Sequence, residues 1–369
     1  SMGVRGSTRK REYTPVMRQF LHAKAKHPDA IVFFRLGDFY EMFFEDAARA
    51  AAILDIALTS RGTDPEGNKI PMAGVPHHAA AGYLATLLRH GEKVAICEQI
   101  GDASAARGVV PREVVRVVTP GLCLEPDALD ARAENFLVGL TAEGGIAALE
   151  LSTGTLRACG VEIGPQWVGE LVRLNPAEVL VEQGADELIA LASQSLPQAA
   201  VRSGPAMNET KLLDTHLSED QAAEIRKEPV AARATALVLA YAAAHQPDFQ
   251  IHLATRYNAG DRLVLDDAAV RNLELVRTLD GERRGSLLHL MDETKTAMGA
   301  RALRARLLEP LTDLERIRRR HDAVELFVLD APMRQQARQR LAEVGDLERL
   351  AVRAAVGLAT PRDLGIIRN

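Results

Sequence analysis

Residues 33–44 read FFRLGDFYEMFF and hold six of the fifteen aromatic residues in a chain that is only 4% aromatic. The residues at the start of this stretch, 31–34, are β-branched or aromatic, and the apolar run stops at Gly37-Asp38. Such a pattern is typical of a buried strand that is closed by a turn. The stretch therefore predicts the first strand of a small α/β domain.

The residues that follow this turn are predicted to form a helix. Asp38 is a suitable N-cap, and Glu41 stands three positions later, where a capping box has Glu or Gln. Apolar residues then recur at helical spacing from Tyr40 to residue 54 and form one apolar face. Phe39 lies about 100° from the centre of that face. A large ring at a helix start that points away from the core is a candidate wedge.

The composition is that of an ordinary soluble protein with room for two or three cores. The chain has 369 residues, of which 47% are hydrophobic and 26% charged. The longest apolar run, residues 236–244, is far shorter than the roughly 20 residues that span a bilayer. No signal peptide opens the chain, and residues 1–13 are expected to be a tag remnant and disordered. The three cysteines form no C-x-x-C motif, which favours a reduced cytoplasm.

The charge is unevenly distributed along the chain. The total is −5, but residues 1–120 carry +3, residues 121–260 carry −10 and residues 261–369 carry +2. Contact with a polyanion is therefore plausible for the first and last thirds and disfavoured for the middle third. An ordinary solvated surface is the alternative interpretation of such a small positive excess.

Gly and Pro residues mark the boundaries of helices and strands, and the spacing of apolar residues indicates which is which. Together they predict an α/β multidomain chain. Predicted strands lie at 92–98, 114–118, 136–141, 146–151, 156–161 and 178–181, and residues 61–76 are predicted to be a loop. Predicted helices begin at Thr14-Pro15 and near 79, and lie at 166–174, 230–245, 268–279, 286–291, 297–308 and 314–329, with a further run from 333. The predicted domains are a small mixed α/β domain at 14–121, a linker at 122–133, an α/β domain at 134–258 and an all-α segment at 259–369.

Several segments, in this order, resemble the MutS family of DNA mismatch-repair proteins. They are Gly37-Asp38-Phe39-Tyr40-Glu41, residues 55–62, 70–76 and 94–102, Val118-Thr119-Pro120-Gly121, Asn175-Pro176-Ala177-Glu178, residues 271–274 and 344–349. The resemblance covers nearly the whole chain. It implies a mismatch-binding domain, an RNase H-like connector and the start of a helical lever and core domain.

The resemblance implies a role for five residues in binding mismatched double-stranded DNA. Phe39 would be the intercalating wedge, and Glu41 would form the hydrogen bond to the displaced base. Met72 would lie in a loop beside the mismatch, and Arg61 and Arg112 are candidate phosphate contacts, since Arg suits phosphate.

Each of these residues also has a simpler interpretation. Phe39 would be an ordinary core aromatic, and Glu41 a capping-box residue. Met72 would be a half-buried turn residue, and both arginines would be solvated.

The middle domain allows an enzyme hypothesis, a metal-dependent nuclease or resolvase centred on residues 134–255. That chemistry needs clustered carboxylates to hold two metal ions, but the predicted strand at 136–141 has none and Glu150 stands alone on the next. A connector that docks a MutL-like partner fits the sequence better. A third interpretation is a scaffold whose DNA affinity is purely phosphate-driven.

We expect no catalytic or metal-binding residues in these 369 positions. Adjacent histidines such as His77-His78 point in different directions, and no Gly-Lys pair exists from which a Walker A loop could be built. The resemblance implies that ATP and Mg²⁺ bind a later ATPase domain, because the chain resembles a truncated protein. It also implies a cytoplasmic homodimer when complete, and the chain alone is expected to be mostly monomeric.

Overall fold

The computed structural model describes residues 12–101 and 110–368. Contacts divide the chain after Pro120 into two compact units. The predicted disordered segment 1–13 lies outside the described residues except for Glu12 and Tyr13, and the predicted domain bounds stay predictions.

The described residues of the first unit form a six-stranded mixed sheet with three α-helices. Its elements are α1 (Pro15–Lys26), β1 (Ala30–Leu36), β2 (Phe39–Phe43), α2 (Phe44–Leu54), β3 (Thr59–Thr63), β4 (Lys69–Pro76), α3 (Ala80–Arg89), β5 (Lys93–Gln99) and β6 (Arg112–Val118). The strand order is β3-β4-β2-β1-β5-β6, with β1 parallel to β5 and antiparallel to β2. Helix α1 begins as predicted, since the Thr14 hydroxyl accepts from Met17 N at 3.3 Å and Pro15 follows it.

The prediction of a helix from Asp38 was wrong. Residues 39–43 form strand β2, which pairs with β1 through a two-residue turn at Gly37-Asp38, and α2 begins only at Phe44. The apolar residues here fit both periods, because Tyr40 and Met42 alternate as in a strand while Tyr40 and Phe43 repeat as in a helix. Because residues 39–43 pair with β1 on one side and with β4 on the other, they form a strand rather than a helix.

The prediction of a loop at residues 61–76 was also wrong. β3 and β4 form an antiparallel pair, with Thr59 opposite Met72 and a register shift between Ser60 and Thr63. Pro and Gly in this segment are turn signals in sequence, but a strand pair at the edge of a sheet with an irregular register tolerates them.

Each face of the first sheet is covered by helices. On one face, Phe20 of α1 packs with Phe34 and Phe43, with ring centroids 5.8 and 5.0 Å apart. On the other face, α2 contacts β4 and α3 contacts β5. The sheet therefore has a buried centre, and the β1–β2 turn extends beyond it.

The second unit contains another six-stranded sheet followed by helices. Its α/β elements are β7 (Leu137–Leu140), β8 (Gly145–Glu150), β9 (Thr155–Gly160), α4 (Pro165–Leu174), β10 (Glu178–Val181), α5 (Asp186–Ser195), β11 (Ala200–Ser203), α6 (Glu209–His216), α7 (Glu219–Arg226), α8 (Pro229–His245) and β12 (Leu253–Arg256). The strand order is β11-β10-β7-β8-β9-β12. Helix α8 packs on one face, and Trp167 and Leu171 of α4 pack on the other.

Over the described residues, seven α-helices follow this sheet in the second unit. They are α9 (Asp267–Asn272), α10 (Leu287–Met291), α11 (Ala297–Leu308), α12 (Leu314–Leu329), α13 (Ala331–Ala342), α14 (Leu347–Ala355) and α15 (Pro361–Arg368). The predicted helix 268–279 ends early, because Glu274 has a φ of +49° and its carboxylate accepts from Leu279 N at 2.7 Å. In α14, Arg349 donates to the carbonyls of Asp130 and Ala133.

Candidate nucleic-acid interface

Phe39 is exposed at the tip of the β1–β2 hairpin. Its exposed fraction is 47%, whereas Phe33, Phe34 and Phe43 are at most 1% exposed. The tip is a tight turn in which Gly37 has a φ of +59°, a conformation suited to glycine. This ring is therefore not a core aromatic.

The hairpin tip is held in place from both sides. The Arg35 guanidinium donates to the Gly37 carbonyl at 2.6 Å. The His77 amide, just after β4, donates to the Asp38 carbonyl at 2.8 Å. Phe39 is thus presented on a turn whose backbone is fixed by its neighbours.

Tyr40, which points to the opposite face from Phe39, anchors β2. Its ring is buried 5.5 Å from Phe33, and its hydroxyl donates to Glu98. Burial, with the hydrogen bond to Glu98, raises the pKa of the Tyr40 phenol. Buried Tyr40 therefore stabilises β2 on one face of the sheet, while Phe39 of the same strand is exposed on the other face.

Glu41 lies on the same face of β2 as Phe39. Two positions along a strand correspond to about 7 Å. Opposite them on β4 lie Gly74, paired with Glu41, and Pro76, paired with Phe39. A Cβ placed at Gly74 would be 3.7 Å from Glu41 Cγ and 3.9 Å from Phe39 Cδ1. Because Gly74 has no side chain, the surface beside both residues is open.

Arg61 forms an ion pair with Glu41. Its Nη1 lies 2.7 Å from Glu41 Oε1 and 2.6 Å from Oε2. The Glu41 side chain is 13% exposed and that of Arg61 is 56% exposed. The guanidinium is largely open to solvent, and ion pairs at the protein surface typically contribute about 0–1 kcal/mol. The capping-box interpretation of Glu41 is wrong, since Glu41 lies within a strand and bonds to a side chain.

Arg112 packs against the base of the hairpin. Its guanidinium donates to the carbonyls of Arg35 at 2.6 Å and Val110 at 2.9 Å, and lies 5.3 Å from the centre of the Phe34 ring. Burial lowers the pKa of this guanidinium. The geometry makes Arg112 a support of β1, and its phosphate contact stays a prediction.

Met72 is a half-buried residue of β4, not a loop residue. It pairs with Phe43 of β2 and packs on the core that contains Phe20. Its carbonyl accepts from the Thr59 hydroxyl at 3.1 Å. Met72 therefore lies on β4, the strand that pairs with the β2 residues Phe39 and Glu41. Any contact of Met72 with DNA stays a prediction.

Sequence reasoning missed two residues of this site, Arg35 and Gly74. Both lie next to or within motif segments, but nothing in their spacing indicated that Arg35 would hold the turn or that Gly74 would pair with Glu41. Their roles follow from strand register, which the sequence patterns did not reveal.

The carboxylates of the second sheet are engaged in structural contacts. Glu150 accepts from the Ser152 hydroxyl at 2.7 Å. Glu178, fully buried, accepts from Arg202 and Tyr241, each at 2.8 Å. Within the described part of the chain, no group of three or more His, Cys, Asp or Glu side chains is placed to hold a metal ion. The nuclease hypothesis is not favoured.

Two segments of the chain match models of known protein families. Residues 14–127 match the family model of MutS domain I, and residues 268–369 match that of MutS domain III. The chain belongs to the MutS family. The resemblance of its ordered motifs is thereby confirmed, and the fold is a mixed α/β chain with mixed sheets and many helices.

Relatives of this MutS-family chain are named DNA mismatch repair protein MutS. The protein of Sorangium cellulosum is 46% identical over 98% of the chain and 41% of its own length. That of Syntrophobacter fumaroxidans is 40% identical over 96% of the chain and 42% of its own length. That of Symbiobacterium thermophilum is 42% identical over 96% of the chain and 43% of its own length. The MutS-family chain thus spans about two fifths of these relatives.

The helices of the MutS-family chain give no membrane span. Over the residues that the structure describes, none is both long enough and apolar enough to cross a bilayer.

Proposed function

We propose that this chain recognises mispaired and unpaired bases in double-stranded DNA and thereby initiates mismatch repair. The observation that carries the proposal is Phe39, an exposed ring on a fixed turn, inside the segment that matches MutS domain I. Glu41 lies two positions away on the same face.

The wedge mechanism follows from the physics of kinked duplexes. An apolar side chain inserted at a base step loses a few kcal/mol of base stacking and gains protein–DNA contact along the bent duplex. A mismatched step unstacks more easily, so its lower deformation cost favours the mismatch. Phe39 is suited to this role because its apolar ring is 47% exposed at the hairpin tip.

Glu41 adds discrimination by charge. A carboxylate near phosphates is repelled by any duplex. It regains binding energy only where an exposed base edge offers a proton for a hydrogen bond. Together, Phe39 and Glu41 would read deformability and base exposure rather than sequence. Arg61 and Arg112 would contact phosphates, and Met72 would pack beside the mismatch.

The second unit would serve as connector and lever. We propose an RNase H-like fold for residues 134–258. Two features of the sheet support it: β7, β8 and β9 are antiparallel neighbours, and β10 and then β11 extend the sheet from β7 in parallel. A MutL-like partner would dock on this domain. ATP and Mg²⁺ would bind outside these residues, which have no Gly-Lys pair for a Walker A loop. The complete protein would be a cytoplasmic homodimer.

The test is fluorescence anisotropy with a G·T duplex and its G·C counterpart at a fixed salt near about 0.1 M, because phosphate-driven affinity depends steeply on salt. We expect the chain to prefer G·T, and Phe39→Ala to reduce that preference about tenfold or more, since stacking on an aromatic ring contributes about 1–3 kcal/mol per base.

Phe327→Ala is the matched control. Phe327 is 40% exposed on α12, outside the matched domain I segment, so its loss should leave the preference unchanged. Equal binding of both duplexes by the unaltered chain would contradict the proposal. A preference that survives Phe39→Ala would contradict the wedge role.

A further inference from the structure

The Arg61–Glu41 ion pair occupies the carboxylate that the proposed function assigns to base contact. Since Nη1 is nearly equidistant from the two oxygens, it lies on the bisector of the carboxylate. A donor on a displaced base that approached Glu41 from this side would meet the guanidinium first. The ion pair therefore offsets the Glu41 charge and covers the side of the carboxylate that faces Arg61.

Arg61 is placed where it can move. It lies in the register shift between Ser60 and Thr63 on the edge strand β3, whose five residues are all exposed. Bulges at sheet edges re-aim side chains, and Gly62 beside it has a φ of +71°. Within the described residues Glu41 is the only hydrogen-bond partner of the Arg61 side chain. Arg112, in contrast, is held by two carbonyls and a ring.

We propose that Arg61 is a specificity-determining residue: it offsets part of the Glu41 charge on a perfectly paired duplex, and the pair opens on a mismatched one. The inference rests on the proposed function and goes beyond a simple phosphate contact. On a G·C duplex no base offers a hydrogen bond to Glu41, so the ion pair stays closed. At a mismatch the pair opens, and Glu41 turns to the displaced base.

The two complexes should then respond differently to the loss of Arg61. The complex with paired DNA loses the neutralising partner of Glu41 and is weakened by repulsion from phosphates. The mismatch complex, in which the pair is already open, loses less. Removing a positive charge should therefore increase the preference for the mismatch.

The experiment measures the affinities of the chain and its Arg61→Gln variant for G·T and G·C duplexes at one salt concentration. We expect Arg61→Gln to raise the ratio of G·T to G·C affinity about two- to fivefold, the range that a weak exposed ion pair supplies. In a Glu41→Gln background the same substitution should leave the ratio unchanged, because no carboxylate is left to neutralise.

Arg49→Gln is the matched control. Arg49 on α2, on the other face of the sheet, is 63% exposed and pairs at 2.7 Å with Glu92, which is 8% exposed. Arg49→Gln removes one positive charge and one ion pair, as Arg61→Gln does, but far from Glu41. It should therefore leave the ratio of G·T to G·C affinity unchanged. Circular dichroism of all variants verifies that they are folded.

Two results would overturn the inference while the proposed function stands. An unchanged ratio in Arg61→Gln, with both affinities lowered, would make Arg61 an ordinary phosphate contact. A lowered ratio would mean that Arg61 contributes more to the mismatch complex than to the paired one, the reverse of the inference. If the unaltered chain itself shows no preference for G·T, the proposed function fails, and this inference fails with it.

Discussion

At the scale of single residues, Phe39 differs from the other aromatic residues of its stretch in its position relative to the sheet. Phe33 and Phe43 are covered by helices, whereas Phe39 is the first residue of β2, beyond the cover of α1. Its pairing partner on β4 is Pro76, and Gly74 lies next to it. An exposed ring therefore results from strand position and small neighbours together.

The opening beside Phe39 can be closed by a substitution at Gly74. In Gly74→Val, Cβ would make ordinary van der Waals contacts with Glu41 and Phe39, and its methyl groups would cover part of both. Because β-branched residues suit strands, we expect the free energy of unfolding to change by less than about 1 kcal/mol. The preference for G·T should fall toward that of Phe39→Ala, measured by anisotropy.

Gly82→Val is a suitable control for this variant. Gly82 lies in α3, where a Cβ would have no heavy atom within 4 Å. A G·T preference that is unaffected by Gly74→Val would show that the space beside Phe39 is not used by DNA.

At the scale of elements, side-chain hydrogen bonds determine how several segments end. Asp292 follows α10 and accepts from Thr294 and from the guanidinium groups of Arg132 and Arg283, each at 2.6 Å. Burial alone would raise the pKa of Asp292, but hydrogen bonds from Arg132 and Thr294 outweigh burial and lower it to about 2. This carboxylate thus ties the end of a helix to residues far away in sequence.

The lowered pKa of Asp292 predicts a pH dependence of stability. A carboxylate whose pKa is lower in the folded state stabilises the protein above its unfolded value of about 4 and loses this contribution as the pH falls toward 2. Asp292→Asn should lower the free energy of unfolding by roughly 1–2 kcal/mol at pH 7, and the difference from the unaltered chain should narrow at pH 3.

Urea unfolding followed by Trp167 fluorescence measures this effect. Trp167 is the single tryptophan of the chain and is fully buried in the second unit, so its signal reports on that unit. Asp322→Asn, at an exposed position on α12, is the control. A difference as large at pH 3 as at pH 7 would contradict the proposed linkage.

At the scale of the whole molecule, motif segments that are distant in sequence meet in the second unit. The Gly121 amide donates to Glu178 Oε2 at 3.0 Å. A Cβ on Gly121 would lie 2.9 Å from the Cβ atoms of Glu178 and Leu137, which is too close. Arg301 similarly binds Asp346 and Glu348 at 2.6–2.8 Å.

Removal of the buried Glu178 carboxylate should destabilise the second unit. Glu178→Ala would leave the Arg202 guanidinium and the Tyr241 hydroxyl without this acceptor, and breaking a buried ion pair typically costs about 3–5 kcal/mol. A large fall in the unfolding midpoint, followed by Trp167 fluorescence, is the expected result. Glu187→Ala, at an exposed position of α5, should have little effect, and equal effects of both variants would contradict the prediction.

The sequence predicted correctly those elements whose apolar residues fit either the helical period of 3.6 or the strand period of 2, but not both. β10, α11 and α12 were predicted with their observed bounds, and α8 to within one residue. A long apolar run such as α8 favours a helix. A short β-branched run between Gly or Pro residues favours a strand. Phe39 could likewise be singled out, because a cluster of aromatic residues in an aromatic-poor chain indicates its neighbourhood.

Tertiary structure alone decided the rest of the site. Residues 39–43 fit a helix or a strand, and only pairing with β1 and β4 selects the strand. The partner of Glu41 is Arg61, twenty positions away, and Arg61 lies at a register shift in β3 that no local pattern indicates. Apolar periodicity is a local property of the sequence, whereas strand register and ion pairing depend on segments brought together by folding. That is why the sequence alone determined the family and the candidate wedge, but not the strand that presents the wedge or the charge beside it.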